Sequence, residues 1–270
     1  MNNVLVKILC GLFIITTISS DATASGKDTT RLLADNNNIS SPSLVTITKV
    51  ANIVYPESIE EDKPQFIKYV QKYSNKKRDF LLEMFEKGKK YFPKVEIVLK
   101  KYNLPQELKV LVALESGFKA NAVSRAGAVG YWQMMDEAAR DYGLHISGNV
   151  RSGKDERTNL IKSTNAAAKY LSDHAIMLNN DILLMVASYN CGMGNVRRAI
   201  KKSGKKTPDF WDIKKYLPLE TRNYVMNFIS LSVIFANFEK FENKNLLFYP
   251  QSVVIPVSNN NVKLNTAITN

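Results

Sequence analysis

The segment from Leu104 to Gly117 constrains this chain more than any other. Leu108, Val110, Leu111, Val112, Ala113 and Leu114 place apolar side chains on nearly every side of a helix. Such a helix cannot lie on a surface and demands a shell of other helices. Yet it ends in an acid. Leu108, Leu111, Val112 and Glu115 fall at i, i+3, i+4 and i+7, so Glu115 closes an apolar stripe on one face. Pro105 suits a first-turn position and Gly117 a helix stop. Partial burial and the negative end of the helix dipole both disfavour the carboxylate. A raised pKa is what a general acid working near neutral pH requires. A Glu reaching solvent from a frayed helix end has the same local sequence, so position alone leaves its role open.

The rest of the chain supplies the shell. Phe66, Ile67, Val70 and Tyr73 follow helical spacing, and Phe80, Leu81, Met84 and Phe85 repeat it. Ser74-Asn75 reads as a stop and a new cap between them. Tyr91–Tyr102 gives a third short helix. Residues 118–131 read as a loop with Gly127 and Gly130, and Gln133–Tyr142 returns to helix. Thr158–Leu178, Ile182–Cys191, Asn195–Lys202 and Leu219–Phe238 complete a mostly α chain. Residues 25–60, rich in Ser, Thr, Asn and Asp, read as a flexible linker with one short strand at Leu44–Thr48. Residues 61–92 form a helical extension, residues 93–240 the main domain, and residues 241–270 an extended tail.

Composition excludes several classes. The 270 residues are 45% apolar, which suits a globular protein and not a disordered one. Two cysteines rule out a disulfide scaffold, and His145 and His174 are too isolated for a zinc site. No GxxxxGK[ST] or GxGxxG stretch supports nucleotide chemistry. At the N-terminus, Lys7 precedes an apolar run from Ile8 to Ile18, followed by Ala22-Thr23-Ala24. This pattern is short for a membrane span and fits an export signal over residues 1–24. Cleavage there would leave Cys191 as the single thiol, read as a small apolar residue rather than a nucleophile.

The net charge is +12 and stays so in a cleaved chain, because Lys7 and Asp21 leave together. Such a charge draws a protein to anionic polymers, with nucleic acid the first guess. Export argues against nucleic acid and for the cell wall or lipid head groups. Lys201-Lys202, Lys205-Lys206 and Lys214-Lys215 read as solvated helix faces.

Three ordered blocks sharpen the reading. The first runs Glu115-Ser116-Gly117-Phe118, then Asn121 through Arg125 to Gly127, then Gly130-Tyr131-Trp132-Gln133-Met134-Met135. The second is Ala187-Ser188-Tyr189-Asn190-Cys191-Gly192, and the third Leu217-Pro218-Leu219-Glu220-Thr221-Arg222-Asn223-Tyr224-Val225. Together they resemble the lytic transglycosylases of glycoside hydrolase family 23, the soluble lytic transglycosylase and goose-type lysozyme-like domain. Asp155-Glu156-Arg157 and Asp209-Phe210-Trp211 point to its membrane-bound murein transglycosylase D type. The resemblance covers residues 90–240.

The resemblance implies a lysozyme-like helical catalytic domain acting on peptidoglycan glycan strands in the periplasm or cell envelope. It implies that Glu115 is the single catalytic acid and base. Ser124, Gln133, Met135, Tyr189, Asn190 and Glu220 would line the saccharide groove, and Gly127 and Gly130 would be turns letting backbone approach the sugar. It implies no metal or organic cofactor. The expected protein is a monomer with envelope association. The family pattern departs at Ser188 and Cys191, where the usual residues are a small apolar one and Ala; both replacements are small. Read without the family, Tyr189 and Asn190 sit late in an apolar helix and need polar partners, which a sugar or Glu115 would supply. Trp132 suits the core at least as well as a sugar face. Two other readings compete. A lysozyme-like muramidase would hydrolyse the same bond with Asp155, Glu156 or Glu220 as base for a water. A wall-binding module would need no catalysis.

Overall fold

The computed structural model describes residues 43–59, 64–150 and 153–257. The expected export signal at 1–24, the expected linker up to residue 42 and the expected tail beyond 257 lie outside the described residues. Two compact units result, one from residues 1–53 with 247–270 and one from 54–246.

In the first unit, β1 (Ser43–Lys49) pairs antiparallel with β2 (Gln251–Val257), from Ser43 opposite Val257 to Lys49 opposite Gln251. Both strands are rich in β-branched residues, Val45, Thr46, Ile47 and Thr48 against Val253, Val254, Ile255 and Val257. Pro256 is tolerated because each strand of a two-stranded ribbon keeps one free edge. Beyond the ribbon the Asn52 amide donates to the Leu247 carbonyl at 3.1 Å, and the Leu247 amide to Asn52 Oδ1 at 2.8 Å. Segments expected to be a linker and a tail are thus joined across the chain.

The second unit is helical. Its elements are α1 (Pro64–Lys76), α2 (Arg78–Lys101), α3 (Val110–Ser116), α4 (Asp136–Asp141), α5 (Leu160–Met177), α6 (Ile182–Cys191), α7 (Met193–Ser203), α8 (Phe210–Ile213), α9 (Leu219–Ala236) and α10 (Phe238–Glu242). Two apolar helices form the centre. Every residue of α6 from Ile182 to Ser188 is buried, as is α9 from Phe228 to Ile234. Helices α1, α2, α3 and α6 all pack on α9. Trp132, Phe66, Phe210 and Phe228 are among the largest fully buried side chains.

The helix boundaries differ from the sequence reading in four places. Ser74-Asn75 does not end α1, because the Ser74 hydroxyl donates back to the Gln71 carbonyl at 2.9 Å and leaves the ladder intact. The second and third expected helices are one helix, α2, which continues through Pro93. Pro93 faces solvent, while Phe92, Val95, Val98 and Leu99 bury the other face on both sides of it. Tertiary packing there overrides the lost N–H and the ring clash. Pro105 precedes a short 3-10 turn, Gln106–Lys109, and α3 begins only at Val110.

The fourth difference is at Gln133. Gln133 takes a left-handed φ of 46° and Met135 stays extended, so α4 starts at Asp136. The Gln133 amide nitrogen instead donates to the carbonyls of Ala122 and Gly130, at 3.1 and 2.9 Å. These bonds and the bridges Val123–Val129 and Val129–Met134 fold residues 118–135 into an ordered hairpin-like loop.

Candidate active site

Glu115 stands in the last turn of α3, and Gly117 caps that helix with φ 55° while its amide returns to the Ala113 carbonyl. The chain then turns away through Phe118, also left-handed at 64°. The Ser116 hydroxyl donates to the Tyr131 carbonyl at 2.9 Å, which ties the loop to the end of α3. The acid is thereby held between α3, the loop and the two central helices.

The Glu115 carboxyl receives a hydrogen bond from the Tyr224 hydroxyl, 2.5 Å from Oε1. Burial pushes its pKa up from 4.5 to about 7, and the Tyr224 bond pulls against that shift without cancelling it. The phenols of Tyr224 and Tyr189 are both pushed well above 10, first by burial and then by the Glu115 charge. Both therefore remain donors at any working pH. With one carboxyl oxygen held by a fixed donor, the proton of the neutral acid is confined to the other oxygen.

Tyr189 is placed beside this acid but does not bond to it. Its hydroxyl donates to the Trp132 carbonyl at 2.6 Å, so that carbonyl, and not Glu115, takes its proton. Asn190 Oδ1 accepts from the Thr221 hydroxyl at 2.8 Å, joining the end of α6 to the start of α9. Trp132 is fully buried and donates from Nε1 to Thr164 Oγ1 at 2.9 Å, so it belongs to the core.

The loop residues have structural partners of their own. Ser124 Oγ accepts from the Ala128 amide at 3.0 Å and closes the turn that Gly127 occupies at φ 89°. Gly130, at φ 85°, is buried, and a Cβ there would stand 2.0 Å from the Arg157 carbonyl oxygen. The close approach that Gly130 permits in this structure is to the Arg157 backbone. Met135 is 46% exposed and Glu220 is also exposed. Glu220 lies one turn before Tyr224, on the same face of α9.

Tyr224 and Arg157 were quoted from the sequence without a role, and Asp155 only as a candidate base for water. For Tyr224 the signal was present: Glu220, Thr221 and Tyr224 fall at i, i+1 and i+4 on one polar side of a helix whose second half is apolar and buried. Asp155 is fully buried and Arg157 nearly so. Arg157 donates to both Asp155 oxygens, at 3.0 and 2.8 Å, to the Met134 carbonyl and to Asp136. The Arg157 guanidinium holds the Asp155 pKa below its usual value against the cost of burial. Asp155 is thus a committed anion supporting the loop. Glu156 accepts from the His145 amide at 2.9 Å and pairs with Lys162.

His174 is buried with Nδ1 2.8 Å from Ser188 Oγ, and burial lowers its pKa. Burial raises the Cys191 thiol, which leaves it a neutral side chain as the sequence suggested. Among the described residues no group of three His, Cys, Asp or Glu converges as a metal site.

A helical unit built round one desolvated acid, flanked by two protonated phenols, defines a class: a single-carboxyl site of the kind used in proton transfer. Residues 95–211 match the Transglycosylase SLT domain. The chain is 36% identical over 173 residues to the membrane-bound lytic murein transglycosylase D of Escherichia coli strain K12. That match covers 63% of this chain and 37% of the relative's length. Among solved structures, it aligns with an inactive mutant of the lytic transglycosylase Slt from Pseudomonas aeruginosa. The TM-score is 0.45 and the identity 19%, over 72% of this chain and 39% of that one. It also aligns with the 70 kDa soluble lytic transglycosylase of Escherichia coli at a TM-score of 0.43 and 21% identity, over 56% of this chain and 25% of that one.

Proposed function

We propose that the protein is a peptidoglycan lytic transglycosylase that cleaves the β-1,4 bond between N-acetylmuramic acid and N-acetylglucosamine without water. The observation that carries this reading is Glu115, a lone acid near neutral pKa held by a permanent donor. Neutral Glu115 gives its proton to the glycosidic oxygen as the bond from the muramyl C1 breaks. The substrate's N-acetyl group stabilises the developing positive sugar. The Glu115 carboxylate then takes the proton of the muramyl C6 hydroxyl, whose oxygen closes on C1. The products are a 1,6-anhydromuramyl end and a free N-acetylglucosamine 4-hydroxyl, and the acid is regenerated. Intramolecular attack gains from proximity, so no second carboxylate is needed.

Hydrolysis of the same bond would need a base for water. Of the three alternatives, Asp155 is bound to Arg157, Glu156 to Lys162 and the His145 amide, and Glu220 faces solvent. Ser124, Gly130, Gln133 and Asn190 support the groove walls in this reading, while Met135 and Glu220 stand at its exposed rim. Tyr189 orients the wall through Trp132. The protein acts as a monomer in the periplasm or cell envelope after export through residues 1–24.

The test is the product mass from purified murein. Transglycosylation gives muropeptides with no added water, hydrolysis adds one water per cut, and Glu115→Gln releases neither. Hydrated ends from the parent protein would overturn the transglycosylase reading. Full activity in Glu115→Gln would remove Glu115 as the acid.

A further inference from the structure

We infer that the exposed face of α7 is a docking surface for an anionic lipid bilayer. The face is cationic along its whole length. Val196 and Ala199 are buried, while Gly194, Arg197, Arg198, Lys201 and Lys202 are exposed. At about 100° per residue these five positions span an arc of roughly 140°. Apart from the glycine, every one carries a positive charge, and the helix contains no acidic residue.

On α2 part of the positive charge is neutralised within the helix. On α2, Lys87 and Lys89 are paired with Glu83 and Glu86, each at 2.5 Å. On α7, Arg198 bonds Asn195 Oδ1, Arg197 bonds the Met177 sulfur, and among the described residues none of the four cations pairs with a carboxylate. Cations near a helix C-terminus favour the dipole. Arg197 and Arg198, however, sit near the middle, where the dipole offers little. Lys206 extends the same charge beyond the helix, while Lys205 is paired with Asp212.

A second observation selects the partner. Ile176 and Met177, at the end of α5, are 78% and 47% exposed, and Met177 adjoins Arg197 at 3.0 Å. A row of cations bordered by protruding apolar side chains matches a membrane interface, where charge meets head groups and apolar groups enter the acyl boundary. A soluble polyanion would engage the cations and leave Ile176 and Met177 in water. The +12 net charge adds long-range attraction.

The test is co-sedimentation of the full chain with phosphatidylcholine vesicles, with and without phosphatidylglycerol. The parent protein should partition onto anionic vesicles and release with salt. Replacing Arg197, Arg198, Lys201 and Lys202 together with Gln should weaken that partition at least tenfold and leave murein cleavage unchanged. A control with Lys90, Lys94, Lys100 and Lys101 replaced by Gln loses the same four charges from α2 and should stay within twofold of the parent. Ile176→Ser with Met177→Ser should weaken vesicle binding at high salt. If the fourfold variant does not fold, Lys201→Gln with Lys202→Gln should still weaken binding about threefold. Equal loss in the α2 control would overturn the assignment, because net charge rather than this face would be responsible. Absence of a preference for phosphatidylglycerol, or no effect of the Ile176 and Met177 changes together with full competition by soluble polyphosphate, would also overturn it.

Discussion

Replacing Glu115 with Gln should make the protein more stable above pH 7 while abolishing its activity. Gln has nearly the shape of the neutral acid and can still accept the Tyr224 hydrogen bond, so it leaves the contacts in place and removes only the titration. The folded pKa is raised, from 4.5 to about 7. At about 1.36 kcal/mol per tenfold change in a protonation equilibrium, burying this charge costs about 3 kcal/mol. The side chain keeps some access to solvent, so that figure is a ceiling. The sign follows from proton binding. Between pH 4.5 and 7 the folded state holds the Glu115 proton and the unfolded chain does not, so stability falls as pH rises through that window. Below about pH 4.5 both states are neutral and parent and variant should match. Above pH 7 the parent alone carries the cost and the variant should lead by up to about 3 kcal/mol. Urea denaturation of both proteins at pH 4.5 and pH 8 measures this directly. A stability difference that does not change with pH would refute the claim that Glu115 is desolvated.

Three further substitutions probe its surroundings. Tyr224→Phe removes the donor that pulls the Glu115 pKa down, so the high-pH fall in activity, expected near pH 7 for the parent, should move upward in a pH–rate profile. The same change should lower the rate about tenfold or more and cost about 1 kcal/mol in chemical denaturation. Tyr189→Phe leaves the Trp132 carbonyl without its donor, so it should destabilise the fold by about 1–3 kcal/mol in the same assay. Gly130→Ala sets a Cβ 2.0 Å from the Arg157 carbonyl at a φ of 85°. It should destabilise by about 3 kcal/mol or more, visible as a lowered thermal midpoint.

The sequence by itself determined the helical class, the apolar centre and the acid at the end of α3. Helical periodicity and a carboxyl closing an apolar stripe are local properties, readable without knowing what packs where. That α6 is buried was also implied, because its residues from Ile182 to Ala187 are apolar on every side. What bonds to Glu115 was not readable. Tyr189 and Tyr224 are both phenols late in or on apolar helices, and only the relative rotation of α6 and α9 decides that Tyr224 meets the acid while Tyr189 meets the Trp132 carbonyl. Burial likewise decided Asp155, since the three consecutive charged residues Asp155-Glu156-Arg157 look like surface until a buried guanidinium is seen to hold both oxygens. Helix ends at Ser74, Pro93 and Gln133 escaped for the same reason. Their propensities are a few tenths to a few kcal/mol, and packing of the buried faces, or a side-chain bond to a distant carbonyl, outweighs them.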